Sequence, residues 1–479
     1  MVPASPIADT VITPEIRRVL PWLVAVALFM EHLDATILNI AVPTMAASLG
    51  VAPLSLKSVV TSYMLSLAVF IPVSGWMADR FGSKRVFLLA VALFMIGSLL
   101  CGVAPGQHWL VAARVLQGMG GALMTPVGRL VLVRSFPRSE LIRTMNFVVI
   151  PALLGPLLGP FIGGLIVHWL HWRVIFFINL PFGLAGLWFA WHYMPSFHDA
   201  EAAPFDWPGF LLFSSGAALL SYVLEVFGNH SLAGSHTGLM LVLAGLLLLA
   251  YGWHAGRATA PVLDLLLFRL RTFRIAVMGG FVTRLGVGGM PFLLPLLFQI
   301  GLGFPAWQAG LLMMPQVVAA IVMKLVANRV LAIWGHRQVL IANTVCFGLM
   351  IAGFSLVGPG VPVSVILALG LAQGFFASLQ FTSMNSLVYA EIGDREASKA
   401  SSIASTAQQM SLSFGVAVVS LISAWYLGNV EQTNPLYVVP ALHKAFLTMG
   451  GLTVLSSLTF LGLHTHDGDN MSNRRVVEA

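Results

Sequence analysis

Four charged residues fall deep inside apolar stretches of this 479-residue sequence: Glu31, Asp34, Arg114 and Arg284. A charge in a bilayer core is costly, so each needs a partner or a task. Glu31 and Asp34 are three residues apart, which puts both carboxylates on one face of a helix. At about 1.5 Å per residue, Asp34 is about 21 Å into its apolar run and Arg114 about 9 Å from the far end of its own. In a hydrocarbon core about 30 Å thick, these depths coincide. The two can pair if their helices adjoin. A buried acid must be paired or protonated, and a second carboxylate and a guanidinium nearby pull in opposite directions. That constellation suits proton uptake and release. Asp34 and Glu31 are expected to exchange a proton, with Arg114 as charge partner. His32, about 100° around the helix from Glu31, is a weaker relay candidate. Lys324 and Arg129 fall near inner helix ends and are expected to snorkel to the interface.

These residues need a membrane around them, and the composition supplies one. Lys and Arg number 25, Asp and Glu 18, together 9% of the chain, against 58% hydrophobic residues and a mean hydropathy of +0.89. A soluble domain carries about 25% charged residues, so a soluble protein is excluded. The 31 Phe and 12 Trp exclude disorder. The net charge of +7 is scattered singly or in pairs between apolar stretches, as in the loops of a membrane protein and not as on a nucleic-acid surface. Cys101 and Cys346 both lie inside apolar stretches and make no disulfide framework. No HExxH, nucleophile elbow, phosphate loop or cofactor motif is present, so neither an enzyme nor an ATP-driven pump is expected.

The apolar runs predict fourteen membrane helices, at 20–43, 57–78, 85–104, 108–132, 144–168, 174–195, 207–228, 237–256, 273–300, 307–330, 338–358, 363–388, 403–427 and 442–464. With both ends cytoplasmic, 18 of the 25 basic residues fall on the inside. Only Lys57, Arg173 and Lys444 fall outside, which fixes the orientation. An internal echo pairs Gln117-Gly118 in the fourth helix with Gln373-Gly374 in the twelfth, and Gly82-Ser83-Lys84-Arg85 with Gly335-His336-Arg337-Gln338. Repeated halves around a central site are a transporter architecture. The expected division is a cytoplasmic tail 1–19, a six-helix half 20–195, a two-helix insertion 196–256, a second six-helix half 257–464 and a cytoplasmic tail 465–479.

The stretch Gly75-Trp76-Met77-Ala78-Asp79-Arg80-Phe81-Gly82-Ser83-Lys84-Arg85 resembles the loop signature of the major facilitator superfamily, G-x-x-x-D-R-x-G-x-K/R-R. Gly75, Asp79, Arg80, Gly82, Lys84 and Arg85 would then form a latch that breaks as the halves rock. Arg114 followed by Gln117-Gly118 is similar to the superfamily's R-x-x-x-G motif. Gly155-Pro156, Gly159-Pro160 and Gly163-Gly164 resemble the fifth-helix signature of its exporters, where glycines four apart allow close packing and prolines permit bending. Leu33-Asp34-Ala35-Thr36, Trp172-Arg173 through Asn179-Leu180-Pro181, and Leu267-Phe268-Arg269 resemble the fourteen-helix drug:proton antiporters of the EmrB/QacA type. Arg284 through Pro295, continuing to Phe304, is similar to the MdtD branch of multidrug exporters. The chain departs from that branch at Glu31 and His32.

The resemblance implies an all-α polytopic protein of the bacterial inner membrane, with two six-helix halves and two extra central helices. It implies drug:proton antiport by alternating access, without a cofactor and driven by the proton gradient. The partners would be a small-molecule substrate, protons and the lipid bilayer, with no nucleic acid and no ATP. A monomer is expected, with accessory efflux proteins as further partners. Arg284, Tyr63, Met290, Phe292 and Gln117 are candidates to line the substrate cavity, and Trp22 is a further wall candidate. A second reading is an exporter of one specific, anionic metabolite that uses Arg114 and Arg284.

Overall fold

The computed structural model describes residues 7–8, 12–199, 204–227, 234–393, 396–428, 430 and 432–472. Long apolar runs form helices because a spanning segment must satisfy its own backbone polar groups. The spans are α1 (Pro14–Leu49), α2 (Lys57–Phe81), α3 (Ser83–Val103), α4 (Gln107–Ser135), α5 (Arg138–Trp169), α6 (Asn179–Tyr193), α7 (Trp207–Phe227) and α8 (Gly234–Ala255). They continue with α9 (Arg271–Leu296), the continuous stretch Ala306–Gly353, α12 (Val363–Leu387), α13 (Ala397–Leu427) and α14 (Pro435–Ser456). The stretch Ala306–Gly353 is broken at Gly335, which has φ 73° and ψ 160°, and so holds two spans, α10 (306–334) and α11 (336–353). Among the described residues the total is the expected fourteen.

The internal echo shows in the backbone. Gly82, between α2 and α3, has φ 88°, the counterpart of Gly335 between α10 and α11. Both positions need the left-handed region that only glycine adopts without penalty. One such residue turns the chain, so no loop at 331–337 is required.

Several helices outrun their apolar cores. Thr13 caps α1, its Oγ1 accepting from Ile16 N, and Pro14 stands at the first turn, so α1 begins within the expected tail. The α13 helix begins at Ala397 and α14 at Pro435, each several residues before the sequence estimate. In α13 the added turns are the polar stretch Ala397-Ser398-Lys399-Ala400-Ser401-Ser402, which can be helical beyond the bilayer; in α14 the Asn434 side chain caps the start, accepting from Leu436 N, with Pro435 in the first turn. A single short pairing of β1 (Ile7–Ala8) with β2 (Phe197–His198) is the non-helical element among the described residues.

α1 packs along α5, α3 along α4, and α2 along α4; in the other group, α9 packs along α13 and α11 along α14. The two groups meet through α2 with α13 and α5 with α10, and the α7–α8 hairpin leans on α2 and α13. The exterior is apolar, with Trp191, Leu241, Leu249, Leu325 and Trp425 all facing outward, as a lipid-facing surface requires.

The halves are joined at their outer ends. Gln299 Nε2 donates to Ile40 O at 2.8 Å, Leu54 N to Gln432 Oε1 at 3.2 Å, and Ser413 Oγ to Thr61 O at 3.2 Å. At their inner ends, α2 and α4 are separated from α13 and the 260–264 segment by a cavity of about 710 Å³, bordered by Asp79, Arg129, Asp264 and Lys399. The protein is closed to the outside and open to the cytoplasm.

Candidate functional site

The deepest polar cluster sits between α1, α3, α4 and α6. Asp34 and Arg114 are each 1% exposed. Arg114 Nη1 donates to Asp34 Oδ2 at 2.5 Å. Asp34 Oδ1 accepts from Gln117 Nε2 at 2.8 Å and from Asn179 Nδ2 at 2.9 Å. Arg114 also donates to Gln117 Oε1 at 2.8 Å and to Val59 O at 3.3 Å. Its guanidinium stacks 4.2 Å over the Tyr63 ring. Ser98 Oγ closes the ring, accepting from Asn179 and Gln117 while donating to Phe176 O. A desolvated ion pair repays its burial only when its remaining donors and acceptors are satisfied. Here both carboxylate oxygens are satisfied.

Glu31, one helical turn toward the cytoplasm, differs. It is 8% exposed, and its hydrogen bond comes from the Thr125 hydroxyl. Among the described residues no cation forms an ion pair with it. The Tyr63 hydroxyl is buried without a hydrogen-bond partner and borders Gly121, as does the Glu31 stem. Tyr63 thus spans the distance between Arg114 and the neighbourhood of Glu31.

His32, one residue on and about 100° around α1, faces the other way. It borders a cavity of about 470 Å³ between α1, α5, α9, α10, α12 and α13. Thr36, Asn39, Met290, Lys324, Gln373 and Asn385 also border this space. His32 Nδ1 is held by Leu28 O at 2.9 Å.

The cavity assignments change for most of the expected lining residues. Met290 lines the space, but Phe292 is fully buried in the outer core. Two residues along a helix is about a 200° turn, so Met290 and Phe292 cannot share a face. Tyr63 and Gln117 belong to the charge cluster. Arg284 lies behind the wall, its Nη2 donating to Asn385 Oδ1 at 2.8 Å and its guanidinium 5.1 Å from the Phe381 ring. Trp22 is 57% exposed and packs edge-on against Phe147 on the outer surface.

The fifth-helix glycines form a seam. An added Cβ at Gly155, Gly159 or Gly163 would collide with α1 at His32, Thr36 and Ile37, respectively. One at Gly164 would lie 2.5 Å from Ala306 O across the divide, and one at Gly310 would lie 2.3 Å from Pro160 O. Pro156 and Pro160 border the cavity. In the 75–85 stretch, Asp79 Oδ1 accepts from Arg134 Nη2 of α4 at 2.9 Å, and Asp79 O accepts from Asp199 N. Gly75, Arg80 and Arg85 are exposed and Lys84 half-buried at the cytoplasmic end.

The sequence pattern of the Major Facilitator Superfamily matches residues 24–416 and 276–474. The chain belongs to the major facilitator superfamily. It is a multi-pass membrane transporter and not an enzyme. A protein of Serratia proteamaculans (strain 568) named "Putative multidrug resistance protein MdtD" is 37% identical over 460 residues, 95% of each chain. One of the same name from Cronobacter sakazakii is 40% identical over 459 residues, 95% of this chain and 96% of that one. A solved transporter of the POT family, in complex with a thioalcohol conjugated peptide, overlays with a TM-score of 0.67 at 15% identity. That overlay covers 92% of this chain and 94% of that one, and the likeness is one of fold.

Within this superfamily fold, the sequence passed over several residues of the site. Asn179, Ser98 and Thr125 each supply a hydrogen bond to the acids or to their partners. Asn179 stands alone as a polar residue in an apolar run, and that signal was available. Ser98 and Thr125 are common in membrane helices and carry no signal. Lys324, expected to snorkel, instead borders the central cavity. Arg129 borders the cytoplasmic one.

Proposed function

We propose that this transporter exports amphipathic small molecules from the cytoplasm across a bacterial inner membrane in exchange for protons, and that Glu31 carries the exchanged proton. The observation that carries this reading is the contrast between the two acids. Asp34 has both carboxylate oxygens hydrogen-bonded and a guanidinium in contact, so it acts as a fixed charge. Glu31 has one hydroxyl partner, and an unpaired buried carboxylate must take a proton or a new partner. Its neighbour His32 borders the substrate space, so one helix carries the proton site on one face and the cavity wall on another. A membrane potential supplies about 2.3 kcal/mol per charge per 100 mV, enough to drive uphill export. The relatives named as multidrug resistance proteins support the substrate class.

The test uses energised inside-out vesicles with an acridine dye reporting the pH gradient. Exported compounds from a panel including ethidium and 2-naphthoate dissipate the gradient with the wild type. Proton movement that persists in the double variant Asp34→Asn, Glu31→Gln rules the reading out.

The seam and the latch give two further expectations. Gly164→Val wedges α5 from α10 where the outer ends close, and should cut transport about tenfold or more at an overpacking cost of about 1–3 kcal/mol. Gly186→Ala is the control, because its Cβ would meet only Val91 Cγ1, at 4.0 Å; its transport rate should match the wild type in the same vesicles. Asp79→Asn removes a half-exposed pair with Arg134 worth about 0.2–1 kcal/mol. Thermal unfolding should barely move, while turnover falls several-fold because the two α-helix ends no longer lock during rocking. Equal turnover at an unchanged melting temperature would remove the latch role.

A further inference from the structure

Arg284 is 4% exposed on α9 and has no carboxylate partner among the described residues. It makes one hydrogen bond, to the Asn385 side chain, and one ring contact, to Phe381. Its Nε is buried without any partner. A guanidinium cannot shed its charge, so its burial requires a counter-charge from somewhere. Asn385 and Phe381 both border the central cavity. Lys324 borders the same cavity with no ion-pair partner among the described residues, and His32 faces it from α1. No Asp or Glu is among the described residues of its wall, which otherwise mixes neutral polar side chains such as Asn39, Gln373 and Gln408 with apolar ones such as Leu153, Val287, Met290 and Ile321.

From this we infer that the cavity takes an amphipathic anion, an apolar body bearing a carboxylate-class group, and that this group is the missing counter-charge of Arg284, with Lys324 as a second cation. The inference rests on the exporter reading and narrows its substrate class. Asn385, which borders the cavity, is all that stands between it and this face of the guanidinium in the hydrogen-bond chain, and a carboxylate displacing or joining that amide would satisfy the orphan donor. Charge-assisted pairs of this kind are the strong hydrogen bonds of a dry site. A cationic drug in the same space would meet Arg284 and Lys324 with no compensating acid.

The experiment measures equilibrium binding to the purified full-length protein with three probes of one body: 2-naphthoate, 2-naphthylmethylammonium and 2-naphthalenemethanol. The wild type is expected to bind naphthoate about tenfold or more tightly than the alcohol, with the ammonium weakest. Arg284→Gln should lose that margin and keep its affinity for the alcohol, which also reports a folded cavity. Arg284→Lys should recover part of it. Lys324→Gln, at an exposed position, should weaken naphthoate binding even if Arg284→Gln fails to fold. The proposal is overturned if the ammonium binds as well as naphthoate or if none of the three binds. It is overturned equally if naphthoate affinity is unchanged in Lys324→Gln or in a folded Arg284→Gln. Binding needs no gradient, so naphthoate bound with the expected preference by a protein that moves no compound of the panel against protons would refute the exporter reading and leave this site standing.

Discussion

Arg114→Gln is expected to abolish transport and to lower stability by about 3–5 kcal/mol, the cost of leaving a buried charge unpaired. The loss comes from several places at once. Asp34 would keep only its two amide donors, Gln117 Oε1 and Val59 O would lose theirs, and Tyr63 would lose the cation over its ring. Arg114→Lys should rescue little. An ammonium is a point charge and cannot serve Asp34, Gln117 and the Val59 carbonyl in one plane. The double variant Asp34→Asn, Arg114→Gln leaves neither charge stranded and should recover most of the stability, while transport stays absent. Denaturant unfolding of the purified variants measures the first effect and vesicle transport the second. Normal stability of the single variant would mean that Asp34 finds water or another partner in the folded protein.

Glu31→Gln is expected to separate two properties that the wild type joins. Glutamine can still accept from Thr125, so the fold and the cavity should be intact. Glutamine cannot carry a proton, so accumulation driven by a pH gradient should fall about a hundredfold or more, within the range that a lost proton-transfer group typically costs. Exchange of substrate for substrate without a gradient should continue. Tyr63→Phe should give a milder version. It keeps the ring under Arg114 and removes only the unpartnered hydroxyl. A uniform loss of both driven transport and exchange in Glu31→Gln would assign Glu31 to packing.

Much of the fold was legible in the sequence. Fourteen apolar runs have few alternatives in a bilayer, and the basic residues orient them. The echo between Gly82 and Gly335 was legible as letters and returned as a shared left-handed backbone. Depth along a helix was legible too, because rise per residue is fixed. Asp34 and Arg114 could therefore be set at one level before their contact was seen. Direction around a helix was much less so. Phe292 and Met290 differ by two residues and face opposite ways. Trp22 looks outward although its type suits a cavity. Lys324 was placed by its distance from a helix end, but the cytoplasmic opening brings the cavity down to it. Such facing depends on which helices adjoin, and a run that is apolar all round does not encode it.

Proteoliposomes of wild type and Glu31→Gln, tested side by side for pH-driven uptake and for gradient-free counterflow, probe the central claim most directly. The probe is whichever of ethidium or 2-naphthoate the wild type moves. The account predicts that the wild type shows both activities and that Glu31→Gln keeps counterflow while losing pH-driven uptake. Undiminished pH-driven uptake by Glu31→Gln would contradict it.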